Sequence, residues 1–218
     1  MQPGLFSPIK FGESFRAEGT LNFPPAQNPT VSCQAMRHQS KIKMLNMILS
    51  TFPTLTTERL TLRQPLESDA QQIFLLRSDA IVNKYLDRQP SRTVEEALSF
   101  IRKVNEGFKN NEGLYWAITQ TGNEKLIGTI CLFDFSDELK KCEIGYELLP
   151  NYQGQGIMNE ALKKVMNFTF QTLGLGTIDA FTHKDNQSSA KLLQKFYFQK
   201  TAIIDEANSN LILFRLSN

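Results

Sequence analysis

The spacing of apolar residues becomes regular from Glu58 onward and predicts an alternation of strands and amphipathic helices. The segment RLTLR sets Leu60 and Leu62 on one side, as expected for a strand covered on one face. Two helices are predicted next: Ser68 and Asp69 open the first, and the capping-box pattern of Thr93 and Glu96 opens the second. Their apolar stripes follow the helical period, with Ala70, Ile73, Phe74 and Arg77 in the first and Ala97, Phe100, Ile101, Val104 and Phe108 in the second.

Further strands follow, with turn residues between them. LYWAIT and KLIGTICLFDF are separated by Thr121, Gly122 and Asn123, which are typical of a hairpin, and the second strand pairs onward with CEIGYELL. The long helix IMNEALKKVMNFTFQTL then leads to TIDAFT, which must return parallel to CEIGYELL through a helical crossover. A helix over residues 187–195 and a hairpin of QKTAIID and LILFRLS complete the predicted order βααβββαβαββ.

Composition limits the domain organisation and the partners. A chain of 218 residues with 41% hydrophobic content can bury one substantial core, which favours a single domain. Residues 1–46 hold five of the nine prolines and show no sustained period, so we expect a disordered or loosely packed extension there and a domain over residues 47–218. This extension carries five Lys or Arg against two Glu, and the rest is nearly neutral, which argues against nucleic acid as a partner.

Cysteine spacing and hydropathy indicate the compartment. The three cysteines follow neither a metal-ligand spacing nor an even-numbered disulfide framework, so we expect a cytoplasmic protein without a metal site. The apolar patch MLNMIL is too short to span a membrane and lacks the small-residue pattern of a signal cleavage site. We therefore expect no membrane partner.

The turn PNYQGQG, between CEIGYELL and the long helix, is the candidate binding site. It brings a backbone with few side chains to the first turn of a helix, where unpaired N–H groups can hold phosphate oxygens. A phosphate loop of the nucleotide hydrolases would need Gly-Lys followed by Ser or Thr, but Ile157 and Met158 follow Gly156. A dinucleotide fingerprint would need a third glycine where Asn159 stands, although Asp179 lies at a suitable distance for a ribose-binding acid. Nicotinamide-dependent oxidoreduction therefore stays open here as an alternative.

The run EIGYELLPNYQGQGIMNEAL resembles motif A of the GNAT acetyltransferases, Gln/Arg-x-x-Gly-x-Gly/Ala, and looks like their RimJ/RimL branch. Gln153 and Gly156 match this motif, and Met158 replaces the usual small residue. The resemblance implies the GNAT fold of the α/β (α+β) class over about residues 57–217: a mixed, mostly antiparallel twisted sheet with one parallel junction and helices on both faces. It also implies acetyl-CoA as the acetyl donor, with its pyrophosphate held by main-chain amides. The residues then expected at the cofactor are Leu148, Leu149, Gln153, Gly154, Gln155, Gly156, Ile157, Met158, Asn186 and Ser189.

A second motif follows the parallel strand. Asn186 and Ser189 precede an apolar helix face, and this resembles the Asn-x-x-Ser signature of the same family. In that family the Asn side chain bonds the pantetheine arm and the Ser hydroxyl lies near the sulfur. A helix cap by Asn186 or Asp185 would explain either residue taken singly. The helix ends here in FYF, where the family often has Leu-Gly-Phe.

Acetyl transfer to an amine requires a base, a donor to the carbonyl oxygen and an acid for the thiolate. Glu143 and Glu147 share one face of the strand, because side chains alternate along it. The resemblance implies that Glu143 is the general base, while Glu147 could contact the substrate or act in catalysis. For the acid, Ser189 is the first candidate and Tyr197 the second, because Leu193 stands where many relatives carry a helix Tyr.

These residues predict an acetyl-CoA-dependent N-acetyltransferase that transfers directly to a primary amine. The resemblance favours a protein N-terminal α-amine, of the ribosomal-protein type, as the acceptor. Small amines such as polyamines or aminoglycosides are the next alternative, and a catalytically silent acyl-CoA-binding module stays open. A monomer or a homodimer is expected.

Overall fold

The computed structural model describes residues 51–205 and 208–218, so the extension predicted over residues 1–46 lies outside the described residues. The strands are β1 (Leu55–Thr56), β2 (Leu60–Arg63), β3 (Gly113–Gln120), β4 (Leu126–Ser136), β5 (Lys141–Leu148), β6 (Thr177–His183), β7 (Gln199–Ile204) and β8 (Leu211–Ser217). The helices are α1 (Ala70–Ser78), α2 (Ala80–Asn83), α3 (Val94–Lys109), α4 (Ile157–Asn167) and α5 (Gln187–Lys195), with short 3-10 turns at Glu67–Asp69 and Pro150–Tyr152 and a π-helical turn at Phe168–Thr172. Within the described ranges, no helix is long and apolar enough to cross a bilayer.

All eight strands form one sheet, in the order β1-β2-β3-β4-β5-β6-β8-β7. Every neighbouring pair is antiparallel except β5 and β6, which confirms the predicted mixed sheet with one parallel junction. Two short elements were not predicted. β1 is a two-residue strand that pairs with β2, and α2 is a four-residue helix whose N-cap, Asp79, accepts from the N–H groups of Ile81 and Val82.

Local hydrogen bonds explain where the predicted elements begin and turn. The hydroxyl of Thr93 accepts from the N–H of Glu96 and caps α3, as the sequence predicts. The carboxylate of Glu96 accepts from the N–H of Arg92 instead of that of Thr93, so only half of the capping box forms. Between β3 and β4, Gly122 takes a φ of 79°, which a glycine adopts without strain in a hairpin turn.

Helices cover both faces of the sheet. Neighbouring residues of β3 divide between the faces: Trp116 joins the main core under α4, and Ala117 joins the cluster that α1 and α3 form around Ile73 and Ile101. Burying each Leu or Ile side chain contributes roughly 1.5–3 kcal/mol of transfer free energy. The Trp116 indole N–H donates to the carbonyl of Pro53 at 2.7 Å, which satisfies the polar atom of the largest buried side chain.

The two parallel strands pair over only part of their length. Residues 141–143 of β5 pair with residues 177–179 of β6, and the register ends there. β5 continues to Leu148, while β6 continues to His183 and stays paired with β8 throughout. A gap therefore opens between β5 and β6 beyond Glu143, and it divides the sheet into a larger part, β1 to β5, and a smaller part, β6 to β8.

Candidate functional site

The turn after β5 presents an open group of main-chain amides, which we call the amide loop (residues 153–158). Gly154 and Gly156 have φ values of 74° and 77°, in the left-handed region that favours glycine. Gly156 is the N-cap of α4 and gives no side-chain cap, so the first N–H groups of this helix have no partner within the helix. The side chains of Ile157 and Met158 are buried in the core, and a Cβ placed on Gly154 would meet nothing within 4 Å. The amide loop is thus open to an anion.

Two glutamine side chains hold the amide loop in place. Gln153 Nε2 donates to the carbonyl of Leu148 at 2.9 Å, and Gln155 Nε2 donates to the carbonyl of Asn151 at 2.8 Å. Both side-chain amides therefore bond the main chain of the turn or of the strand end that precedes it. Leu148 is buried, and Leu149 packs beside Leu76, Val82 and Leu86. The predicted cofactor residues of this segment contribute backbone geometry more than side-chain contacts.

Arg59 places a positive charge at the rim of the amide loop. Its Nη1 donates to the carbonyl of Gln155 at 3.3 Å, and its Nε pairs with Glu160 at 2.7 Å. Its Nη2 lies 3.5 Å from the position that a Cβ on Gly156 would occupy. A diphosphate group would meet main-chain donors and a guanidinium here. Arg59 was not predicted as a site residue, because it lies 96 residues from its bonding partner and no local pattern marks it.

Main-chain amides of β5 also line the gap. The N–H of Leu149 donates to Ile127 of the neighbouring segment at 3.0 Å, and this fixes the alternation of amides along β5. The N–H groups of Tyr146 and Leu148 then point away from β4, beyond the last residue that pairs with β6. These two amides can bond an extended ligand in the manner of an added strand.

The Asn-x-x-Ser motif is joined to β5 by a buried pair of hydroxyl groups. Asn186 Oδ1 accepts from the N–H of Ser189 at 3.1 Å, so Asn186 does cap α5. Ser189 Oγ lies 2.9 Å from Tyr146 Oη, and both side chains are fully buried. Burial raises the pKa of the Tyr146 phenol well above its usual range. Tyr146 was not among the predicted site residues, although its place in CEIGYELL sets it on the face of the strand opposite Glu143 and Glu147.

The two acidic residues of β5 lie in different surroundings. Glu143 is partly exposed and belongs to the last residue pair before the gap, opposite Asp179. Glu147 is fully buried, and its two oxygens accept from Arg88 at 2.5 and 2.9 Å. Burial alone would lower the pKa of Arg88, but the carboxylate of Glu147 more than offsets this and raises it. Tyr197 is 79% exposed, beyond the end of α5.

The donors around the gap fit acetyl-CoA. Main-chain amides and Arg59 suit the diphosphate at one end, the edge of β5 suits an amide-containing arm, and the hydroxyl pair of Ser189 and Tyr146 lies beside the same strand. In residues 51–205 and 208–218, no group of three or more His, Cys, Asp and Glu side chains is placed to hold a metal ion.

Residues 59–199 match the acetyltransferase (GNAT) domain family. The uncharacterized N-acetyltransferase YoaA of Bacillus subtilis (strain 168) is 35% identical over 153 residues, which cover 70% of this chain and 86% of YoaA. A putative ribosomal-protein-serine acetyltransferase from Vibrio cholerae superposes with a TM-score of 0.67 at 19% identity, covering 76% of this chain and 98% of that one. The ribosomal-protein α-N-acetyltransferase RimL, bound to coenzyme A, gives the same TM-score, identity and coverage. These two structures share the fold of this chain.

Proposed function

Because the chain belongs to the GNAT acetyltransferase family and is an N-acetyltransferase, we propose that it is of the RimJ/RimL-like branch and acetylates the α-amine of a protein N-terminus, with acetyl-CoA as donor. The observation that carries the donor part of this proposal is the uncapped, glycine-rich start of α4 beside the gap between β5 and β6. The likeness of the run EIGYELLPNYQGQGIMNEAL to the RimJ/RimL branch, and the N-terminal acceptor named for RimL, support the acceptor.

Side chains and main-chain amides of this chain supply the base, the donor to the carbonyl oxygen and the acid for the acetyl transfer. Acetyl-CoA supplies a thioester, whose carbonyl carbon the amine attacks. Glu143, directly or through a water molecule, takes the proton of an α-amine whose free pKa is about 7.7–8.0. The N–H of Tyr146 donates to the carbonyl oxygen as it gains charge. The N–H of Leu148 lies about 6.6 Å farther along the strand and bonds the arm of the donor instead. Ser189, whose hydroxyl is paired with Tyr146, gives a proton to the departing sulfur.

Two of the candidate catalytic residues take other roles in this proposal. Glu147 has both oxygens engaged by Arg88, so it anchors the chain around residue 88 on β5 and does not transfer protons. Tyr197 is an exposed residue whose φ of 63° serves the tight exit from α5.

The test is mass spectrometry of the products formed from acetyl-CoA with N-terminal peptides, polyamines and aminoglycosides. Acetylation at the α-amine of peptides, with slower or absent reaction of the small amines, supports the proposal. Exclusive reaction of the small amines would show that the acceptor is a small amine and not a protein N-terminus. CoA binding without thiol release for any amine would indicate a silent binding module, and binding of NAD instead of CoA would overturn the whole assignment.

Gly156→Glu tests the amide loop. The substitution puts a bulky anion where the diphosphate would bind and is expected to abolish CoA binding, as measured by calorimetry, while circular dichroism stays unchanged. Gly122→Glu is the matched control, because Gly122 has nearly the same positive φ, 79°, in an exposed hairpin turn. Unchanged CoA affinity in Gly156→Glu would contradict the proposal.

Glu143→Gln tests the base. A general base contributes about 10²–10⁴-fold, so kcat is expected to fall by that order while the affinity for acetyl-CoA changes little. Glu138→Gln, at an exposed position in the turn between β4 and β5, serves as the control and is expected to keep the wild-type kcat. A wild-type rate in Glu143→Gln would show that another residue acts as the base.

A further inference from the structure

One loop contacts both sides of the gap on the sheet face that carries Glu147. We call residues 84–88, between α2 and α3, the strap. Arg88 pairs with Glu147 of β5. On the other side, the Tyr85 ring stacks on His183 at the end of β6 with centroids 5.5 Å apart, and the Asp87 carboxylate accepts from Asn208 Nδ2 at 3.2 Å. The strap therefore lies over the wide end of the gap.

Beside the strap lies an arginine whose hydrogen bonds are incomplete. Arg77, in the last turn of α1, holds its guanidinium carbon 3.9 Å from the centroid of the Phe100 ring. Its main-chain carbonyl accepts from Asn83 Nδ2 and from the N–H of Ser91, which fixes the strap segment against α1. Its Nε is buried, and among the described residues it has no hydrogen-bond partner.

The local charges do not balance. Glu147 attracts the guanidinium groups of Arg77 and Arg88, and Arg88 occupies both of its oxygens. Arg88 also donates from its Nε to Asn83 Oδ1 at 2.8 Å, so this guanidinium is well satisfied. Burial lowers the pKa of Arg77 and repulsion from Arg88 lowers it further, and attraction to Glu147 does not fully offset them. A desolvated cation whose neighbouring anion is already hydrogen-bonded to another guanidinium is costly, and a second, bound anion would reduce that cost.

We propose that Arg77, beside Arg88, binds an anionic group of the acceptor, a carboxylate or a phosphate. This inference rests on the proposed function and narrows it: the acceptor amine belongs to a molecule with an acidic group close to that amine. A guanidinium bonds carboxylate and phosphate oxygens through paired N–H groups. The side chains of Glu143 and Glu147 share a sheet face, so the anion would bind on the face that carries the base. In a peptide, the acid would be an Asp, Glu or phosphoserine near the N-terminus.

The activity test compares peptides that differ only in their second residue: Asn, Asp or phosphoserine. In the wild type we expect kcat/KM to favour the acidic peptides by roughly tenfold or more, the factor that one charge-assisted hydrogen bond gives. Comparison of the Asp peptide with the phosphoserine peptide then shows whether the subsite prefers a carboxylate or a phosphate. Arg77→Met is expected to reduce this preference to about one. Arg102→Met, at an exposed arginine paired with Glu67, is the control and should keep the preference. Equal rates for all three peptides in the wild type, or an unchanged preference in Arg77→Met, would overturn the subsite.

A binding test separates this subsite from the acceptor assignment. With saturating CoA to occupy the amide loop, inorganic phosphate at constant ionic strength is expected to raise the thermal midpoint of the wild type and not that of Arg77→Met. Acetate in place of phosphate tests whether the subsite binds a carboxylate.

If no peptide is acetylated but the shift in thermal midpoint still depends on Arg77, the subsite stands and the acceptor assignment fails. If peptides are acetylated but neither anion gives an Arg77-dependent shift, the subsite fails alone. Should Arg77→Met not fold by circular dichroism, Arg77→Lys replaces it and is expected to weaken both effects, because Lys lacks the paired donors.

Discussion

The hydroxyl groups of Tyr146 and Ser189 illustrate how single residues determine this site. Both side chains are fully buried, so each hydroxyl needs a partner, and they lie 2.9 Å apart. A tyrosine phenol is protonated at neutral pH, and burial moves the pKa of Tyr146 still higher, so its hydroxyl can donate to Ser189. The Ser189 hydroxyl is thereby given a fixed orientation, which makes Tyr146 a positioning residue for the proposed proton donor.

Tyr146→Phe tests this role. The loss of one hydrogen bond is expected to reduce the free energy of unfolding by about 0.5–1.5 kcal/mol. We expect kcat to fall by about tenfold, the effect of roughly 1.4 kcal/mol, while KM for acetyl-CoA stays within error. Tyr115→Phe is the matched control, because Tyr115 is also buried and its hydroxyl bonds Thr129 at 3.0 Å. Equal losses of kcat in the two variants, measured by thiol release, would show that the hydroxyl of Tyr146 has no special part in the transfer.

At the scale of elements, the last residues of β5 depend on close packing against β4. A Cβ placed on Gly128 would come within 2.5 Å of the Glu147 carbonyl oxygen and 2.7 Å of Leu148 Cδ1. Only glycine allows this approach. The same stretch of β5 directs the amides of Tyr146 and Leu148 into the gap and leads into the amide loop. The position of the site therefore depends on how these two strands fit together.

Gly128→Ala tests this packing. The new methyl group must push the strands apart, and overpacking of this kind typically costs about 1–3 kcal/mol in the free energy of unfolding. We also expect weaker CoA binding, because the end of β5 moves. Urea denaturation and calorimetry measure the two effects. Gly176→Ala is the control, since the nearest atom to its Cβ would be the Lys140 carbonyl oxygen at 3.9 Å. Wild-type stability and CoA affinity in Gly128→Ala would refute this account.

Across the whole molecule, a short parallel pairing and a buried acid join the two parts of the sheet, in addition to the strap. Asp179 of β6 is 1% exposed and accepts from Arg215 of β8 at 2.6 and 2.7 Å. It also accepts from Lys141 of β5 at 3.3 Å, across the parallel junction. The sequence left Asp179 open as a ribose-binding acid, but these two cations engage both of its oxygens. Asp179 acts instead as a link between the two parts, opposite Glu143 in the register.

Asp179→Asn tests this link. The substitution leaves two cations without their shared anion, so we expect the free energy of unfolding to fall by roughly 1–3 kcal/mol in urea denaturation. Glu67→Gln is the control, because it removes an ion pair with Arg102 whose side chains are 61–62% exposed, and exposed pairs contribute little. A smaller loss in Asp179→Asn than in Glu67→Gln would contradict the linking role.

What the sequence alone determined was local in origin. Strand and helix periods predicted the mixed sheet because the side-chain repeat of each element is a property of its own backbone. The glycines of the amide loop and the Asn186 cap were predictable for the same reason: helix starts obey rules that span three or four residues. The short elements β1 and α2 were not predicted, since two and four residues carry too little periodic signal.

The tertiary structure decided which distant residues meet. Tyr146 and Ser189 are 43 residues apart, Arg88 and Glu147 are 59 apart, and Arg59 reaches the amide loop across 96 residues. No pattern within one segment predicts such a contact, because the contact depends on the register of the strands and on how the helices pack against them. The sequence thus predicted where a diphosphate could bind, and the folded chain determined which charges and hydroxyl groups lie around the gap beside that position.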